Sequence, residues 1–158
     1  MTTEQRIAIL RNCIFLSGIA ESTLARLAER AGTRELAADT RIVTKGEHGS
    51  TMFFIAEGSV RVHDEDVVLA RLAAGEVFGE MAVLDADVRS ASVSTDSPAR
   101  LISLERDDLW DVIAQDPLAL KSIIASVLQR ERAIVEDVSE RTAQVQAFEK
   151  ELEIGRRI

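Results

Sequence analysis

Between Arg34 and Glu105 the sequence abandons the three- and four-residue spacing of its flanks and breaks into short β-branched and aromatic runs. That change of period limits the fold more than any other feature. The runs are Thr40-Arg41-Ile42-Val43, Met52-Phe53-Phe54-Ile55, Ser59-Val60-Arg61-Val62, Val67-Val68-Leu69, Ala91-Ser92-Val93-Ser94 and Arg100-Leu101-Ile102-Ser103-Leu104. Gly46, Gly49, Gly58, His63-Asp64-Glu65-Asp66, Gly75 and Ser97-Pro98 punctuate them. Short strands recurring about every eight to twelve residues predict an antiparallel sandwich or barrel.

The flanks predict helices. From Glu4 to about Ala31 the apolar residues Ile7, Leu10, Ile14, Leu16, Leu24, Leu27, Ala28 and Ala31 recur on one helical face, with a break at Ser17-Gly18. The second helix is expected to begin near Glu21-Ser22 and to stop at Gly32. Helical character returns at Asp107, with Leu109, Trp110 and Ile113 expected in the core, and Asp116-Pro117 breaks it. From Leu118 to about Arg156 the only Gly is Gly155 and there is no Pro, which predicts one continuous helix of roughly 39 residues, about 58 Å long. The chain therefore divides into residues 1–117, a body of helices and strands, and residues 118–158, a helical arm.

Composition removes several classes of function. With 46% apolar and 29% charged residues in 158, the chain is expected to fold as one globular module plus an appendage. No apolar run approaches the roughly 18 residues of a membrane span, and the polar opening MTTEQRIAIL has no basic leader, so a cytoplasmic protein is expected. Cys13 is the single cysteine and reads as a small buried hydrophobe; with only His48 and His63, both expected in exposed turns, a Cys/His metal site is under-supplied. No metal or prosthetic cofactor is expected. The net charge of −8 argues against a nucleic-acid footprint, and it resides entirely in residues 1–117, where 12 Lys/Arg face 20 Asp/Glu; residues 118–158 balance at 7 against 7. No nucleophile with a base and an orienting acid is visible, so the chain does not read as an enzyme.

One stretch carries chemistry: Gly75-Glu76-Val77-Phe78-Gly79-Glu80-Met81-Ala82-Val83-Leu84-Asp85-Ala86-Asp87-Val88-Arg89-Ser90-Ala91-Ser92-Val93. Phe78 reads as an anchor in the core, and Gly79 permits close backbone approach. Glu80 to Leu84 is long enough for one helical turn, whose leading amides suit an anion. Arg89 can return across that turn to pair with a phosphate, and Glu80, acceptor-only, suits a ribose hydroxyl. An anion site beside a hydroxyl site describes a nucleotide. On its own, Arg89 would read as a salt-bridge residue for Glu80, Asp85 or Asp87, and Glu80 as a surface acid.

The string FGEMAVLDADVRSASV, Phe78 to Val93, closely resembles the phosphate-binding cassette of cyclic nucleotide-binding domains, as in protein-kinase regulatory subunits, cyclic-nucleotide-gated channels and catabolite activators. The upstream run Gly46-Glu47-His48-Gly49-Ser50-Thr51-Met52-Phe53-Phe54-Ile55-Ala56-Glu57-Gly58-Ser59-Val60-Arg61-Val62 is similar to the family's strand-turn-strand signature, and the resemblance covers about residues 7 to 132. It implies an α+β fold: an eight-stranded antiparallel β-roll, jelly-roll-like, flanked by N- and C-terminal helices. It also implies a ligand, cAMP before cGMP, held by Glu80 on the ribose 2′-OH and by Arg89 on the cyclic phosphate. Gly79, Met81 and Ala82 would line the sugar-phosphate by backbone, beside Phe78, with Ser90 and Ala91 following the arginine. Val62 would face the base, with Leu69 or Ala70 beside it, and Arg130 would close over the purine as a lid. The family often has Pro before the arginine where this chain has Val88. Ser90 stands where Thr often accompanies cGMP and Ala cAMP.

In the last helix, Leu120, Ile124, Val127, Glu131, Ile134, Val138, Arg141, Val145, Phe148 and Leu152 fall at alternating four- and three-residue steps, eight of the ten being apolar. That stripe is a coiled-coil pattern and predicts a homodimer; as far as Leu128 the helix also suits packing on its own domain. The expectation is a non-enzymatic cyclic-nucleotide sensor that transmits binding through a dimerising helix to an effector. The alternatives are a catabolite-activator-like regulator lacking its own helix-turn-helix, and a ligand-free dimerisation module.

Overall fold

Helix α1 (Thr3–Arg11) starts at a reciprocal cap: the Thr2 hydroxyl accepts from the Gln5 N–H at 3.2 Å, and the Gln5 side chain accepts from the Thr2 N–H at 2.9 Å. A 3₁₀ turn at Ile14–Leu16 follows, then α2 (Glu21–Arg30), which buries Thr23, Leu24, Leu27 and Ala28 on one face. The computed structural model of the chain describes residues 1–81 and 88–157, in two compact units, Met1–Ile123 and Ile124–Ile158.

Among the described residues eight strands follow: β1 (Gly32–Leu36), β2 (Arg41–Val43), β3 (Thr51–Glu57), β4 (Ser59–Asp64), β5 (Val67–Ala73), β6 (Val77–Phe78), β7 (Ser92–Thr95) and β8 (Ala99–Glu105). They form two antiparallel sheets, ordered β1-β8-β3-β6 and β2-β7-β4-β5. The fold is thus α+β, with antiparallel sheets and flanking helices. Phe53, Ile55, Phe78, Ala99 and Leu101 of one sheet meet Val43, Val60 and Val93 of the other in a single apolar core. Strand alternation sends Met52 and Phe54 to the opposite face of β3, where they are also buried. Helix α3 (Arg106–Ile113) packs on β8 and against α2. Each fully buried aromatic or aliphatic side chain contributes about 1.5–3 kcal/mol relative to exposure.

Three expectations are corrected. Gly32 does not stop α2: the helix ends at Arg30, Ala31 is already extended, and Gly32 opens β1 opposite Ser103, whose hydroxyl would lie 2.8 Å from an added Cβ. Trp110 is 36% exposed, because burying Leu109, Val112 and Ile113 turns its position to the edge of α3. His63 is not a solvated turn residue but 5% exposed, beside a register shift between β4 and β5. The Glu65 carbonyl, 2.8 Å from Nδ1, can only accept, so Nδ1 donates to it, while Nε2 shares a hydrogen bond of 2.9 Å with the Ser94 hydroxyl. Cys13 is buried as expected.

Helix α4 (Pro117–Arg157) begins at a proline, whose missing N–H costs nothing at that position. Asp116 caps it by accepting from the Ala119 N–H at 3.1 Å, while its other oxygen accepts from the Thr23 hydroxyl. The Thr23 bond, then the Ala119 bond, holds this carboxyl below its ordinary range. In the second unit Val145, Phe148 and Leu152 are exposed. Among the described residues no helix is long and apolar enough to cross a membrane, and no three His, Cys, Asp or Glu gather as metal ligands.

Candidate functional site

The site is built outward from the core. Strand β6 pairs with β3, setting Phe78 opposite Phe53, and the two rings stack at 5.0 Å with 20° between planes. Phe78 is therefore an anchor behind the site. Immediately after it Gly79 takes φ +79°, a conformation that favours glycine, and an added Cβ would lie 2.8 Å from both the Thr51 carbonyl oxygen and Nη1 of Arg89. Glu80 and Met81 then adopt helical geometry. The expected turn from Glu80 to Leu84, with Ala82, lies otherwise outside the described residues.

The chain is next described at Val88, which bridges His48, and from there it is stitched to the Gly46-Glu47 turn. The Arg89 N–H donates to the Glu47 carbonyl at 2.8 Å, and the Gly46 N–H to the Arg89 carbonyl at 2.9 Å. These two bonds bring together the two separate motifs of the sequence. The Arg89 guanidinium donates through Nη2 to the Thr51 carbonyl at 2.8 Å and, more weakly, through Nη1 to the Gly79 carbonyl at 3.5 Å. It crosses over Gly49, where an added Cβ would lie 2.3 Å from Nε.

Arg89 is half-buried. Desolvation lowers its pKa, opposed first by the carboxylate of Glu105 and then by that of Glu80. A guanidinium stays protonated regardless, so the site presents a fixed cation bonded to main-chain carbonyls, and an oxyanion arriving there gains a charged, bidentate partner. Arg89 also lines an open cavity with Arg34, Phe53, Gly49 and Thr51. The guanidinium carbon of Arg34 sits 5.2 Å above the Phe53 ring.

Val62 is half-buried, packs against the core and pairs with Ala70, while Leu69 is 59% exposed. Of the two residues expected beside Val62, Ala70 is the register partner. Ser90 and Met81 are exposed, and Ala91 is half-buried. Arg130 lies in α4, and its side chain is outside the described residues. Sequence reasoning missed Thr51 and Glu105 as parts of the site and did not single out Gly49, although it is the second glycine of the G-E-x-G run. The Glu105 carboxylate accepts from the Thr51 hydroxyl at 2.6 Å and from the Ser50 hydroxyl at 2.9 Å.

The two-sheet α+β roll thus holds a half-buried arginine against two glycines, Gly49 and Gly79, one from each of the two sequence motifs. The chain belongs to the cyclic nucleotide-binding domain family, whose sequence model matches residues 33–116. It is 31% identical over 118 residues to a cGMP-dependent protein kinase of Drosophila melanogaster, covering 70% of this chain and 15% of the kinase. It is 35% identical over 112 residues to a cyclic nucleotide-gated potassium channel of Rhizobium etli, covering 71% of this chain and 31% of the channel. The chain thus spans less than a third of either relative. Among solved structures it superposes on the catabolite activator protein of Thermus thermophilus with TM-score 0.70 and 27% identity, covering 79% of this chain and 61% of that one. The fold also matches the regulatory domain of Toxoplasma gondii PKA, crystallised with cAMP, at TM-score 0.64 and 24% identity, covering 70% and 44% of the two chains.

Proposed function

We propose that this chain is a non-enzymatic cyclic-nucleotide sensor that takes cAMP in preference to cGMP. The observation that carries the reading is the Arg89 guanidinium, half-buried across Gly49 and beside Gly79 and Glu80. In this reading Arg89 exchanges main-chain carbonyls for the cyclic phosphate, Glu80 accepts from the ribose 2′-OH, and Val62 with Ala70 faces the base. Gly79 and Met81 contribute backbone, as does Ala82, and Ser90 and Ala91 flank the sugar-phosphate. A compact cyclic phosphate needs one arginine and a few oriented amides, so the net charge of −8 does not oppose it.

Ligand binding would reposition the helix from about Leu118 to Arg132, provided the nucleotide has different affinities for two arrangements of that helix. A homodimeric coiled coil along Val145, Phe148 and Leu152 would carry the change to an effector in the cytoplasm. A cGMP-selective sensor is the second reading, supported by the cGMP-dependent kinases among the relatives and by a hydroxyl at Ser90. Denaturing the purified protein, identifying released nucleotide by mass spectrometry and titrating the emptied protein with cAMP and cGMP tests both. Release or tighter binding of cAMP supports the proposal. Tighter binding of cGMP favours the second reading, and no binding of either at millimolar concentration leaves a ligand-free dimerisation module.

A further inference from the structure

Glu105 is the last residue of β8 and immediately precedes α3, and it faces Thr51 across the sheet as its register partner. Its two carboxylate oxygens are spent on consecutive hydroxyls, Thr51 at 2.6 Å and Ser50 at 2.9 Å. The next residue continues the connection: the Arg106 N–H donates to the Ser50 carbonyl at 2.8 Å. Thr51 is also the residue whose carbonyl takes the shorter Arg89 bond, at 2.8 Å. The chain of contacts thus runs from Arg89 through the Thr51 main chain and hydroxyl to Glu105 and the first amide of α3.

Each link has a physical reason. Thr51 is the first residue of β3 and the Gly49-Ser50 segment before it belongs to no strand, so side-chain bonds to Ser50 and Thr51 help fix how the strand starts and where the Thr51 carbonyl lies. A carboxylate gripping two adjacent hydroxyls fixes that turn more firmly than either neutral bond would alone, since hydrogen bonds to a charged group are the stronger kind. Its negative charge also favours a nearby cation.

We propose that Glu105 is a positioning residue for Arg89, clamping Ser50 and Thr51 so that the guanidinium is aimed before ligand arrives, and coupling that aim to the start of α3. The proposal rests on the cyclic-nucleotide reading for its effect on affinity and on the free protein for its geometry. Because Glu105 is itself exposed, solvent competes with the clamp and the effect is graded.

The test uses the full chain and a double-mutant cycle with Glu105→Gln, which preserves shape, and Arg89→Lys, which keeps a charge and residual binding. By calorimetry with cAMP, Glu105→Gln is expected to weaken binding about fivefold in the wild-type background and by less than about twofold beside Arg89→Lys. Equal losses in both backgrounds, or no loss in the first, would overturn the clamp. In the nucleotide-free protein, the Nε–H resonance of Arg89 is expected to exchange with solvent faster in Glu105→Gln; an unchanged rate overturns the clamp even if cAMP does not bind. Failure of wild type to bind cyclic nucleotide, with the Arg89 Nε–H exchange accelerated in Glu105→Gln as expected, removes the parent reading and leaves the clamp standing.

Discussion

Gly49 and Arg89 lie so close that a methyl group on the glycine would come within 2.3 Å of Nε and 2.7 Å of the guanidinium carbon. The glycine is therefore required for space. Gly49→Ala is expected to push the flexible end of Arg89 aside with little loss of stability, while weakening cyclic-nucleotide binding at least about tenfold, the equivalent of one charged hydrogen bond. Titration calorimetry beside a thermal melt checks this, and wild-type affinity in the alanine variant would contradict it.

Phe78 bears on stability instead. Its ring is 4% exposed and stacked on Phe53, so Phe78→Ala is expected to cost about 3–5 kcal/mol by urea denaturation, and Phe78→Leu clearly less. If nucleotide saturates the leucine variant normally, Phe78 is confirmed as an anchor with no contact to ligand.

The parts of this architecture that were legible in the sequence were local. The change of period at Arg34, the break at Ser17-Gly18 and the cassette from Phe78 to Val93 all depend on neighbours within a few positions. Contacts between distant residues were not legible. Nothing near Glu105 in sequence announces Thr51, 54 positions away, because β3–β8 register decides that pair. Strand β1 reads Gly-Thr-Arg-Glu-Leu, with no apolar alternation, since Arg34 occupies an inner-face position beside Phe53 at the rim of the cavity. His63 read as solvated because its neighbours are acidic turn residues, yet a register shift and two hydrogen bonds bury it.

Asp116 gives a pH dependence with a definite sign. Its pKa is lowered in the folded chain, so it contributes stability above the unfolded value of 3.8, and that contribution is lost as pH falls through the folded value. Asp116→Ala is expected to melt below wild type at pH 7, and the gap is expected to close progressively below about pH 4. A gap that persists undiminished at pH 2 would show that the carboxylate charge is not what holds the Thr23–Ala119 junction.

For the helical arm, exposed Val145, Phe148 and Leu152 stand at three- and four-residue steps. Replacing the central aromatic of this apolar run with a third seam charge, beside those of Glu131 and Arg141, removes packing and adds a desolvation cost, so Phe148→Glu is expected to convert a dimer to a monomer in analytical ultracentrifugation. A monomeric wild type at tens of micromolar would contradict the dimeric arm.

The central claim is that Arg89 receives a cyclic phosphate. Calorimetric titration of cAMP into emptied wild-type protein and into Arg89→Ala tests it most directly. Loss of one or two charged hydrogen bonds, each about 1.5–3 kcal/mol, predicts that the variant binds at least about tenfold more weakly, with its fold intact by circular dichroism. Equal affinity in the two proteins would contradict the account.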